Sequence, residues 1–303
     1  METSPILTTQ ASPDTPRPLW GPVVLLLISM VSLQAGAAFA KQLLPALGAA
    51  GTATLRLFFA STMLCLVCRP WRVRLGWRPL GTIALYGLTI AGMNTFIYLS
   101  LLSIPLGIAV ALEFLGPLSV AVLASRQKRD FVWVGLAAVG VALLIPRADA
   151  ATALRWQGIV YALIAAAFWA TYIVVGQRAG TAAPSGAVAS IGMVAGALAI
   201  APLGIATSGA ALLDSRFWPA ALGIALLSSA VPYYLEIVAL AAMPARTFGT
   251  LMSMEPAVAA ISGLVILQEH LTTAQWTAVL LIMLASFGAV AYSRTPPAPE
   301  LAV

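Results

Sequence analysis

The chain has 303 residues, of which 61% are hydrophobic and only 9% charged, with 16 Lys and Arg against 10 Asp and Glu. A soluble domain carries about a quarter of its residues as charges. Together with a mean hydropathy of +0.96, that excludes a soluble globular protein, a disordered chain, a coiled coil and a nucleic-acid binder. The net charge of +6 is therefore read against a membrane, where Lys and Arg encode orientation.

Residues 1–18 hold Pro5, Pro13, Pro16 and Pro18 without apolar periodicity, and read as a disordered tail. The last ten residues, 294–303, read the same way. Between the tails lie ten apolar segments, at 19–40, 50–68, 80–102, 105–125, 131–146, 156–176, 185–206, 218–240, 244–267 and 273–293. Most are close to the roughly 20 residues a spanning helix needs. Period-2 alternation is absent, which argues against a β-barrel. The first segment has a signal-peptide look, with Arg17 ahead of an apolar run and Ala38-Phe39-Ala40 as an A-x-A site. The long tail before it, containing Asp14, favours a retained span.

With the N-terminus placed in the cytoplasm, eleven Lys and Arg fall on that side and four on the other, and Arg56 falls inside a span. The bias puts both ends inside. Pro105 and Pro117 recur as Pro244 and Pro256 at an offset of 139, and Trp20 recurs as Trp156 at 136. The first five segments thus repeat as the last five. Five is odd, so the second copy would enter the membrane inverted, as in secondary transporters. The expectation is an all-α integral membrane fold. It would have ten transmembrane helices as two inverted five-helix repeats, at 19–148 and 149–293.

Ionisable groups inside a span are costly and mark function by default. Glu113 sits mid-segment with nothing polar in its own helix to neutralise it. A carboxyl in apolar surroundings is unfavourable as an anion, so Glu113 is expected to load and release a proton. The alternative is a packed or paired Glu. Glu255, which maps to Gly116, shares the proton-coupling expectation; Glu236, in the eighth segment, is less central, and a structural role stays open for both. Arg56 offers a fork for a substrate carboxylate, with pairing to Glu113 or snorkelling to the interface as alternatives. Lys41 closes the first segment as an interface anchor or a guard of the outer mouth. Asn94 and Tyr98 share a helix face. With Gln34, Trp169 and Tyr172 they are expected to line a cavity, the alternative being helix-to-helix hydrogen bonds. Pro105 and Pro244 read as helix starts, Pro117 and Pro256 as kinks.

Cys65 and Cys68 form a single pair, His270 is the one histidine, and no nucleotide-binding, hydrolase or metalloprotease motif occurs. Neither a metal, a cofactor nor an enzyme is expected. Energy must then come from an ion gradient or from the solute's own.

Several runs carry a family resemblance: Gly36 to Lys41, Thr54 to Leu57, Pro70 to Arg72, Gly92 to Asn94, Tyr98 to Ser100, Asp130 to Val134 and Gly176 to Gly180. The longest are PLGIAVALEF from Pro105 to Phe114, followed by Gly116-Pro117, and RTFGTLMSMEPA from Arg246 to Ala257. The chain resembles the bacterial threonine/homoserine exporter group, in the EamA branch of the drug/metabolite transporter superfamily. The resemblance implies the inner membrane, export of threonine and homoserine, and proton antiport. Expected partners are a small amino acid, protons and the lipid bilayer, with no nucleic acid; a homodimer is a further expectation. Two alternatives stand beside this reading: a broader metabolite or drug exporter, and a membrane sensor that binds a solute without moving it.

Overall fold

The structure is a computed structural model, which describes residues 20–125, 130–144, 155–232, 235–236, 239 and 245–292. Both tails, Pro244 and the 148/149 repeat boundary lie outside the described residues. Among the described residues the chain is helical and contains no strand. The helices are α1 (Trp20–Cys68), α2 (Trp77–Leu101), α3 (Leu106–Glu113), α4 (Leu115–Ser125), α5 (Asp130–Leu143) and α6 (Trp156–Ala182). They continue as α7 (Ser185–Ser208), α8 (Trp218–Ala225), α9 (Ala245–Met252), α10 (Glu255–Leu267) and α11 (Thr273–Tyr292). Among the described residues, six helical stretches are long and apolar enough to cross a bilayer. Large apolar side chains on their outer faces are open, such as Leu198 at 69% and Val265 at 64% exposure. In water such a surface would be a liability; in lipid it is matched to its solvent.

The first two expected segments are one 49-residue helix, α1, interrupted at Gly48 with φ 65 and ψ 175. A left-handed φ favours glycine, because any Cβ would be strained there. Pro45, which cannot donate to a carbonyl one turn back, weakens the helix just before. The interruption reverses the chain. Gly36 and Arg56 are 20 residues apart and would be about 30 Å apart on a straight helix. Yet a Cβ at Gly36 would lie 2.8 Å from Ser228 Cβ, and Arg56 bonds the Ser228 carbonyl.

Two other expected segments are each broken in two. A proline ring clashes with the carbonyl four residues earlier. Counting back from Pro117 gives Glu113, the last residue of α3; counting back from Pro256 gives Met252, the last of α9. New helices begin at Leu115 and Glu255, with both prolines in the first turn. Pro105 caps the start of α3.

Close backbone approach holds the bundle together, as expected where lipid supplies little hydrophobic drive between helices. A Cβ on Gly107 of α3 would meet Ala260 of α10, one on Gly116 of α4 would meet the Ala166 carbonyl of α6, and one on Gly87 of α2 would meet the Gly192 carbonyl of α7. α6 packs on α2, α3 and α4. The first arm of α1 reaches Leu227 and Ser228 just past α8, and Glu255 at the start of α10. α5 packs on α11.

Candidate substrate cavity

The helix breaks and the fold-back of α1 converge on one polar interior. It consists of two adjoining chambers of about 300 and 120 Å³. Both are bordered by Leu33, Arg56, Met93, Asn94, Trp169 and Glu255. The larger extends past Tyr172, Ser228 and Ser229 to Glu236, and the smaller past Gln34 and Tyr98 to Glu113. All the residues singled out as proton or substrate ligands therefore line one cavity.

Arg56 is the best-fixed group in it. Its Nη1 donates to Asn94 Oδ1 at 2.8 Å and to Tyr98 Oη at 2.9 Å, and its Nη2 donates to the Ser228 carbonyl at 3.1 Å. Asn94 is itself oriented, since its Nδ2 donates to the Ile90 carbonyl at 2.8 Å and so turns Oδ1 toward the guanidinium. Asn94 and Tyr98 reach one target because residues four apart share a helix face. The guanidinium also lies 5.8 Å from the centre of the Tyr98 ring. All these partners are neutral. Arg56 forms no ion pair with Glu113 or any other carboxylate among the described residues, and it points inward rather than snorkelling. Those two alternatives are therefore set aside. An arginine has five N–H donors. Three are engaged, and Nε is buried without a partner.

The carboxyls are held differently. Glu255, at the start of α10 and 3% exposed, accepts from Gln34 Nε2 at 2.8 Å. Its Oε2 and the Gln34 Oε1 have no partner. Glu236 accepts from Ser29 Oγ at 2.8 Å. Glu113 is 8% exposed and accepts no hydrogen bond among the described residues. Its neighbour Phe114 packs edge-on against Trp169 with ring centres 5.1 Å apart. Tyr172 accepts from the Tyr86 hydroxyl at 2.9 Å, with the two rings stacked 4.8 Å apart.

Lys41 departs from its expected place at the end of a helix. It lies inside α1, one turn beyond Ala37 on the wall of the smaller chamber, and pairs with Glu269 at 2.6 Å. Its Nζ also donates to the Ile104 carbonyl at 2.8 Å, while Glu269 Oε2 accepts from the Leu106 N–H at 2.8 Å. The pair thus ties α1 and the end of α10 to the link between α2 and α3. Glu269 carried no signal in the sequence. It sits just past α10, where Gln268 at φ 55 turns the chain and the Glu269 N–H bonds the Gly263 carbonyl. Ser29, Tyr86, Ser228 and Ser229 were also not flagged, because one hydroxyl in an apolar run is unremarkable by itself.

A polytopic helical bundle around a charged interior cavity defines a carrier for a small polar solute. Residues 156–291 match the EamA-like transporter family. The threonine/homoserine exporter RhtA of Salmonella typhimurium (strain SL1344) is 45% identical over 280 residues, 92% of this chain and 95% of its own. RhtA of Escherichia coli (strain K12) is 46% identical over 271 residues, 89% and 92% of the two chains. A solved crystal structure at 17% identity aligns with a TM-score of 0.56 over 90% of this chain and 97% of its own, a likeness of fold alone. The chain belongs to the EamA-like transporter family, as a multi-pass membrane transporter and not an enzyme.

Proposed function

We propose that this chain exports small neutral amino acids, threonine and homoserine among them, across a bacterial inner membrane by proton-coupled alternating access. The observation that carries the reading is Arg56: a half-buried cation in the cavity, fixed by three neutral groups, with two donors left over. Three carboxyls border the same cavity. A zwitterion needs both charges matched out of water, and one guanidinium opposite several carboxyls supplies that match. Arg56 takes the substrate carboxylate, with Asn94 and Tyr98 holding the fork in place. Gln34, Trp169 and Tyr172 shape the chamber. The ammonium group meets a carboxyl, and the carboxyl left over exchanges the proton. Glu113 fits the proton role because it accepts no hydrogen bond among the described residues, with Glu255 as the second candidate. The substrate class comes from the RhtA relatives, which are threonine/homoserine exporters.

Ten spans in two inverted repeats complete the proposal, with both termini in the cytoplasm. Paired features support it. Helices break before Pro117 and before Pro256. α6 packs on α2 and on α3 and α4, while the first arm of α1 touches the α8 region and α10. Exchanging the halves maps one set of contacts onto the other, as a two-fold axis in the membrane plane requires.

Counterflow of labelled threonine in proteoliposomes tests the function, with and without a pH gradient. The wild type is expected to exchange threonine and to accumulate it in response to the gradient. Glu113→Gln, nearly isosteric, is expected to keep exchange and lose the gradient's effect. Absence of wild-type counterflow would refute export, and gradient-driven uptake unchanged in the Gln variant would refute the proton role of Glu113.

A further inference from the structure

Helical serines and threonines in this chain commonly bond back to the carbonyl one turn earlier, a local alternative to other partners. Thr54 bonds Ala50 and Ser228 bonds Ile224, at 2.8 and 2.6 Å. Ser229 does not. Its side chain is 9% exposed, borders the larger chamber beside Arg56, Tyr172 and Glu236, and makes no hydrogen bond among the described residues. The backbone here is a π turn, Leu226–Ala230, a widening that recurs at functional positions. It assigns adjacent serines different tasks. Ser228 gives its carbonyl to Arg56 and its hydroxyl to Ile224, whereas the Ser229 hydroxyl is left to the chamber.

The Ser228 carbonyl on Arg56 sets Ser229 one residue from the guanidinium, and consecutive Cα atoms are about 3.8 Å apart. A carboxylate on the free donors of Arg56 therefore places the β or γ position of an amino acid near that hydroxyl. We propose that Ser229 reads the side-chain hydroxyl of the substrate and so selects hydroxylated amino acids over aliphatic ones of the same shape. A hydroxyl both donates and accepts, so it pairs with another in either sense. Its polar neighbours are engaged elsewhere, Ser228 with Ile224, Tyr172 with Tyr86 and Glu236 with Ser29, and Leu33, Leu57, Leu64 and Met93 are apolar. A site built to bond a hydroxyl rejects the analogue that lacks it.

The inference rests on the export reading, and the test separates the two. Labelled threonine is exchanged in proteoliposomes against unlabelled threonine or valine, which carries a methyl in place of the hydroxyl, and homoserine is compared with norvaline in the same way. The full-length wild type is expected to prefer each hydroxylated amino acid by on the order of tenfold or more. Ser229→Ala is expected to bring that preference to within about threefold, chiefly by weakening threonine, with valine competing as in the wild type. Ser229→Cys, similar in shape with a weak donor, is expected to lower it in the same direction and serves if the Ala variant does not reconstitute. An unchanged preference, or equal loss for threonine and valine, overturns the Ser229 assignment alone. No wild-type exchange of any amino acid overturns the export reading and this inference with it.

Discussion

Replacing Arg56 by alanine removes the cation that borders both chambers and leaves three acceptors, Asn94 Oδ1, Tyr98 Oη and the Ser228 carbonyl, facing an empty space. Two of the five guanidinium donors are uncommitted, and a substrate carboxylate takes both once the transport cycle opens the cavity to the buried Nε. Hydrogen bonds to charged groups contribute about 1.5–3 kcal/mol each, so losing two weakens binding by about 3–6 kcal/mol. At about 1.4 kcal/mol per decade, that is roughly a hundredfold to a ten-thousandfold in Kd. Arg56→Lys keeps the charge but offers a point rather than a fork, and its expected loss is smaller, on the order of tenfold. The assay is equilibrium binding of labelled threonine to purified protein in detergent or nanodiscs, with a thermal melt to establish folding. Threoninamide, which has no carboxylate, is the control. Wild-type protein should favour threonine over threoninamide strongly, and Arg56→Ala should treat the two nearly alike. A folded Arg56→Ala protein that binds threonine within about threefold of wild type, or still discriminates against the amide, would refute the carboxylate role.

Other consequences follow for stability. Lys41→Met breaks a 2.6 Å ion pair between partners 20% and 16% exposed, at a cost of about 1–3 kcal/mol; the melting temperature should fall by a few degrees, and the charge-swapped pair Lys41→Glu with Glu269→Lys should recover part of it. Gly107→Ala would set a Cβ 2.9 Å from the Ala260 backbone nitrogen and is expected to destabilise by about 1–3 kcal/mol, whereas Gly81→Ala enters open space and should be neutral or slightly stabilising; denaturant titration in mixed micelles compares them. In the exposed turn after α7, hydrogen bonds from Arg216 hold the Asp214 carboxyl below the usual aspartate range. The contribution of a carboxyl so depressed is present above the usual aspartate pKa and is lost as pH falls through the folded value. Arg216→Ala should move the Asp214 titration, followed by NMR, most of the way toward the ordinary range, the backbone N–H of residue 216 still donating to it.

Local rules account for what could be read from the chain. Hydropathy marks the apolar segments, and the proline clash at four residues back accounts for the ends of α3 and α9. The scarcity of polar groups inside spans singled out Arg56, Glu113 and Glu255, because each charge there costs enough to need a reason. Features that depend on distant pairings were not legible. Gly48 is one glycine among 24, and only its positive φ shows that α1 turns back. Pairing with Glu113 stood as an alternative for Arg56 because opposite charges attract, yet Asn94 and Tyr98 on a neighbouring helix bond it instead. The role of Ser229 depends on a backbone widening that composition does not announce.

The tie between Lys41 and Glu269 also carries a timetable. The two residues are 228 positions apart. At about 5–20 residues per second, roughly 10–45 s of synthesis separate the lysine from its acid. Arg56 waits far less, since Asn94 and Tyr98 follow it by 38 and 42 positions. During translation the newborn first half can house its arginine from its own sequence, while its lysine stays unpaired until the ribosome has nearly finished. A chain released before Glu269 would keep the Ile104 carbonyl for that ammonium group but lack the carboxylate that neutralises it.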